Sequence, residues 1–160
     1  MNTLIWLINK TIYPLYSFLI NSLYWLFHLS DLKSAKKEKE YCKKTITDIK
    51  DIENFLSKFT WTKDNYIDWT PWIITIFDRH LKDDCDGAAT LGKWLYKCIG
   101  IESNMAVLYK DIPGTAHMVC IRKDKTEMIS NSHIITLNPS NWQQSIYDYF
   151  DNVYIKIVLL

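Results

Sequence analysis

One cysteine and one histidine in this chain stand where reacting groups would be placed. Cys85 lies in KDDCDGAATLGKWL, just ahead of a helical pattern whose apolar face is Ala88, Leu91, Trp94, Leu95 and Cys98. That spacing puts the sulfur one or two residues before a helix start, where unpaired N–H groups and positive potential favour thiolate over thiol. Gly87, Ala88 and Ala89 follow at once, so another element can approach the helix start closely. Asp83, Asp84 and Asp86 oppose the thiolate, and a cation or imidazolium has to outweigh them.

The base to match it is His117, in GTAHMVCIRK. Period-two alternation puts it inside a strand, so the pleat fixes its direction. If the next hairpin loop is Lys123, Asp124 and Lys125, Arg122 faces Thr126, and equal steps back pair His117 with Asn131 on one face. A side-chain oxygen beside an imidazole orients the ring, the third role in a cysteine–histidine triad. A two-residue loop pairs His117 with Ser132 instead, so the register decides the third member.

Other chemistries fit less well. LKDDCDG resembles part of a calcium loop, but aligning Gly87 with the loop glycine puts Lys82 at the first ligand and Lys93 where the bidentate Glu belongs. His117 and Cys120 have an H-x-x-C spacing, yet in a strand they point to opposite faces. No metal and no cofactor is expected. The four cysteines, at 42, 85, 98 and 120, make no C-x-x-C pair, so neither a zinc ribbon nor a disulfide scaffold is suggested. A net charge of +1 gives no global basic field for nucleic acid. With 48% apolar residues and only 4 Gly and 4 Pro in 160, the chain has the material for a packed core.

The elements that must position Cys85 and His117 fall in three parts. Residues 1–30 carry one charged side chain, Lys10, and read as an apolar helix interrupted at Pro14. From residue 4 to 29 such a helix is about 39 Å long, against a hydrocarbon core of roughly 30 Å. Lys10, Asn21 and the proline argue against spanning. The segment also lacks the basic start and small-residue site of a cleaved signal peptide. Three settings would bury it: a membrane, a partner protein or its own domain. Residues 31–44 hold six Lys against three acids and read as a basic linker, suited to anionic headgroups or simply solvated, with Cys42 on its surface.

The domain proper is 45–160. Ile46, Ile49, Ile52, Phe55, Leu56 and Phe59 mark one amphipathic helix, and Thr70-Pro71 opens another as N-cap and first residue. The helix after Cys85 ends at Gly100. Strands over 105–109, 116–122 and 127–131 follow, then a short helix from Asn138-Pro139 to about Phe150 and a final strand in VYIKIVLL. Helices first and an antiparallel meander after them make an α+β domain.

The segments DDCDGAATLGKWLYKCIGI, TAHMVCIR and EMISNS, with WTKDNYIDWTPWIITIF upstream, resemble the transglutaminase-like superfamily, and within it the bacterial transglutaminase-like cysteine proteinases. There a D-C-[DE] motif opens the central helix, an H-M-V strand carries the histidine, and the next strand ends in Asp or Asn. The likeness covers residues 60–132. It implies a papain-like fold with Cys85 as nucleophile, His117 as general base and Asn131 as orienting residue. Asn131 replaces the more usual Asp and lends less charge to an imidazolium. The oxyanion would be met by the Cys85 N–H and one further donor, for which Trp69 is favoured over Trp61 and Trp72.

The expected function is thiol-dependent acyl transfer on a protein or peptide, as a cysteine peptidase, amidase or transglutaminase. The alternative is a structural or interaction subunit of a virion or membrane complex that keeps the fold with little turnover. In either case residues 1–30 would meet a membrane or partner.

Overall fold

A computed structural model describes residues 12–28, 32–63, 70–110 and 116–160. Among the described residues three helices come first, α1 (Tyr13–Phe27), α2 (Leu32–Thr45) and α3 (Ile49–Leu56), and a fourth, α4 (Ile73–Asp78), follows the first short strand. Two short strands, β1 (Thr60–Trp61) and β2 (Lys82–Asp83), pair in parallel and lead into α5 (Cys85–Cys98). Then come β3 (Ser103–Lys110), β4 (Ala116–Arg122), β5 (Glu127–Ser130), β6 (His133–Thr136), α6 (Trp142–Tyr149) and β7 (Tyr154–Leu159). The chain is α+β, and its five-stranded sheet has the order β6-β5-β4-β3-β7, antiparallel throughout.

Strand alternation divides the core into two layers. Met118 and Cys120 of β4, Val107 of β3 and Ile129 of β5 pack against Ala88, Leu91 and Leu95 of α5. Val119, Ile121, Ala106, Leu108 and Met128 face the other way and pack with Ile146 of α6. The close approach of α5 to the sheet needs small residues. A Cβ on Gly92 would lie 3.0 Å from Ile129 Cδ1.

Several elements differ from the sequence expectation. Residues 31–44 are not a solvated linker over their described length. Leu32, Ala35 and Cys42 form a buried stripe on α2, and Cys42 is 7% exposed, a core cysteine and not a surface one. Thr70 does not cap α4, which starts at Ile73 behind Trp72. Its N–H goes instead to Ser17 Oγ of α1, at 3.1 Å. β6 was not foreseen, because four residues of HIIT lie too close to the preceding strand to read separately.

The same clasp explains α1. Asn21, 1% exposed, donates from Nδ2 to the Thr70 carbonyl at 2.9 Å, and its Oδ1 accepts the Trp72 N–H at 2.6 Å. One amide thus satisfies backbone groups on both sides of Pro71, which has no N–H of its own. Tyr24 adds a bond from its hydroxyl to Asp78 Oδ2 at 2.7 Å. The polar stripe of the helix is therefore its inward face. Its outward face leaves Leu15, Leu19, Trp25, Leu26 and Phe27 exposed. No helix among the described residues is long and apolar enough to cross a membrane.

Candidate functional site

Cys85 is the first residue of α5, half-buried against the inner layer. The helix begins there because Asp84 caps it, its Oδ1 accepting the Asp86 N–H at 3.1 Å. The turn before it is tied by Asp83, whose Oδ1 accepts the Asp84 N–H at 2.9 Å while Oδ2 accepts from Arg79 at 3.0 Å. Gly87 makes this possible: a Cβ there would sit 2.4 Å from Asp83 Cβ and Cγ. Oxygens of Asp83, Asp84 and Asp86 lie within 4.8 Å of one another, close enough to grip a cation, and Arg79 already neutralises Asp83. The helix start favours a Cys85 thiolate, and these carboxylates oppose it.

His117 opens β4 one residue in, at the same end of the sheet. Its Nε2 lies 2.9 Å from Ser130 Oγ, and its ring packs on Phe150 at 5.5 Å and Tyr154 at 6.1 Å. Burial pushes its pKa down to about 4; the Asp84 carboxylate partly offsets this, and Lys110 adds to it. His117 is thus a neutral imidazole at pH 7, able to accept a proton.

The register differs from the one that pairs His117 with Asn131. Cys120 faces Ile129 and Ile121 faces Met128, so continuing the ladder puts Arg122 opposite Glu127 and His117 opposite Ser132. That is the second of the two registers the sequence left open. The loop holds it: Asp124 Oδ1 accepts from the Thr126 N–H and hydroxyl, Lys125 takes φ 62°, and Arg122 bridges Asp124 and Glu127 at 2.7 and 3.0 Å. One step of slip reverses faces. It puts Ser130 on the His117 face, one rung along the diagonal, and Asn131 on the other parity. Asn131 instead leads the tight turn to β6 at φ 51°, a conformation asparagine adopts at low cost. Its Oδ1 is buried with no hydrogen-bond partner among the described residues.

Cys85 and His117 therefore reach one end of the sheet from opposite layers. Tyr154, at the start of β7, links them: it stacks on His117, and the charge of a Cys85 thiolate adds to burial in pushing its phenol pKa up. Lys110 covers its ring from 5.5 Å. No protein-family profile, curated protein or solved structure matches the chain. The site therefore rests on its own geometry. Trp69, the expected second oxyanion donor, lies outside the described residues. Ser130 and Tyr154 were missed by sequence reasoning. Ser130 was within reach, since it adjoins Asn131 and only the loop length separated the two assignments. The position of Tyr154 depends on β7 pairing with β3, which no local pattern shows.

The low pKa of His117 has a stability consequence. Between about pH 4 and 6.5 the unfolded chain binds a proton at His117 that the folded chain does not, so this contribution is full above 6.5 and is lost as pH falls to about 4. Its size is up to about 3 kcal/mol. Urea unfolding at pH 7 and pH 4.5 should show a steeper loss in the parent than in His117→Gln. Equal losses would contradict the buried neutral imidazole.

Proposed function

We propose that the chain is a thiol enzyme of the acyl-transfer class with a transglutaminase-like, papain-related core, acting on amide or ester carbonyls of a protein or peptide. The observation that carries this reading is the convergence of a helix-start thiol and a neutral imidazole at one end of the sheet, where the Asp84 carboxylate acts on His117 and the Cys85 charge acts on Tyr154, which stacks on His117. In this reading Cys85 Sγ bonds to the carbonyl carbon and His117 accepts the thiol proton. The carbonyl π pair moves to oxygen, where the Cys85 N–H meets it. Collapse expels the leaving group, which takes the proton from His117 and leaves a thioester on Cys85. Water or a lysine amine then releases the acyl group, giving hydrolysis or transamidation.

Ser130 takes the orienting part in place of Asn131, because its hydroxyl is the group on the imidazole. A hydroxyl carries no charge, so it fixes the ring without stabilising an imidazolium. That suits proton transfer from a neutral thiol more than a standing ion pair. The test is acylation by p-nitrophenyl acetate: the acetyl group is expected on Cys85 by mass spectrometry and absent in Cys85→Ser.

One observation favours a second reading, an interaction subunit of a larger assembly with little turnover. The outward face of α1 is apolar, with Phe27 80% and Leu15 68% exposed. A surface of that kind is what a membrane interface or a partner protein covers. In that case Cys85 forms no acyl-enzyme.

A further inference from the structure

A concavity lies away from Cys85, along the stripe of α5 that carries Thr90, Lys93, Trp94 and Lys97. It measures about 710 Å³, within the roughly 300–1,000 Å³ usual for small-molecule sites. Phe18 of α1, Trp72, Ile73, Trp94 of α5 and Met105 of β3 make its walls. Phe18 meets Trp72 edge-on at 5.7 Å, and Trp94 is held from behind by Phe77 at 5.3 Å, so both indoles are braced. The walls offer almost no polar group. Ser17, Asn21 and Thr70 on the lining are tied into the α1 clasp, while the Thr90 hydroxyl is buried with no hydrogen-bond partner among the described residues.

The rim carries the charge. Lys93 and Lys97 stand one turn apart on α5, both exposed, and neither has an ion-pair partner among the described residues. Glu102 borders the adjoining depression with them but is committed to Lys123 at 2.7 Å. An apolar trough with two uncompensated ammonium groups at its lip matches a molecule with a long apolar tail and an anionic head.

We propose that this groove binds a single-chain anionic amphiphile, a long-chain carboxylate, with its tail between Phe18, Trp72, Trp94 and Met105 and its head on Lys93 and Lys97. The α1 clasp through Asn21 forms one wall, so the site exists only while α1 is docked. The inference is independent of the chemistry at Cys85.

The test is calorimetric titration of the full chain with laurate below its micelle concentration. Dodecanol and dodecyltrimethylammonium serve as neutral and cationic controls. Saturable 1:1 binding is expected for laurate and not for the cation. Lys93→Glu with Lys97→Glu should weaken laurate by about tenfold or more, leaving dodecanol unchanged. Circular dichroism checks that the double variant is folded, which two exposed lysines should allow. Absence of saturable binding overturns the proposal, as does laurate affinity that ignores charge reversal. Association only with anionic phospholipid vesicles, equal in parent and double variant, also overturns it and assigns the apolar contact to the outward face of α1.

Discussion

Replacing Asn21 with leucine is expected to destabilise the protein by about 2–5 kcal/mol. The side chain is nearly isosteric and already buried, so the loss is electrostatic and not a cavity. The Trp72 N–H and the Thr70 carbonyl both lose their partner, and each unsatisfied buried group costs about 1–3 kcal/mol. Against a total of about 5–15 kcal/mol this is a large fraction. In a chain of this size it corresponds to a fall in Tm of about 5–15 °C. Ser22→Ala is the control: the Ser22 hydroxyl bonds the Phe18 carbonyl on the exposed side and should matter little. A Tm for Asn21→Leu equal to that of the control would mean that α1 is an appendage that only rests on the domain.

The second large effect is at Gly87. In most helices Gly→Ala gains up to about 1 kcal/mol of backbone entropy and propensity. Here the new methyl would stand 2.4 Å from the Asp83 side chain, which is fully buried and held by Arg79. Its Cβ and Cγ have no room to swing away, so either β2 or the start of α5 must shift. Overpacking costs about 1–3 kcal/mol, and displacing the Arg79–Asp83 pair adds to it, so the clash outweighs the propensity gain. Gly87→Ala should lose about 2 kcal/mol by urea unfolding and lose acylation at Cys85, because the turn that presents the thiol is the part that moves. A variant as stable as the parent would refute the tight packing of that turn.

Much of the fold was legible because burial writes a period into the sequence. The α5 stripe, the Gly100 stop and the β4 alternation are each set by one element against one neighbour. Gly100 takes φ 77°, as a helix stop should. The α2 stripe escaped because only Leu32, Ala35 and Cys42 mark it among six lysines, too sparse a pattern to outweigh the charge. In the sequence Asn21 argues only against a membrane span, and Ser17 carries no signal of its own. They are the residues that dock it, and their partners lie some fifty positions away in a backbone segment with no pattern of its own.

The site was legible to the same degree. Cys85 at a helix start and His117 in a strand follow from local spacing. The third member depended on one residue of loop length, decided by Asp124 folding back on Thr126 and by Arg122 reaching Glu127. That choice put Ser130, and not Asn131, on the His117 face. The burial that makes His117 neutral arises from Phe150 and Tyr154, brought over by α6 and β7 from the far end of the chain.

The central claim, that neutral His117 serves as the base for Cys85, is tested most directly by the pH dependence of Cys85 acylation by p-nitrophenyl acetate. Parent and His117→Ala are followed side by side by mass spectrometry. Cys120 is the internal control, a buried thiol pushed up to about 11. A thiol acting without a base reacts through its thiolate, so its rate falls about tenfold per pH unit below roughly 8.5. His117→Ala should show this decline. The parent should hold a plateau from neutral pH down to about 4, where the imidazole protonates and the rate drops. Superimposable profiles, both falling tenfold per unit, would contradict it.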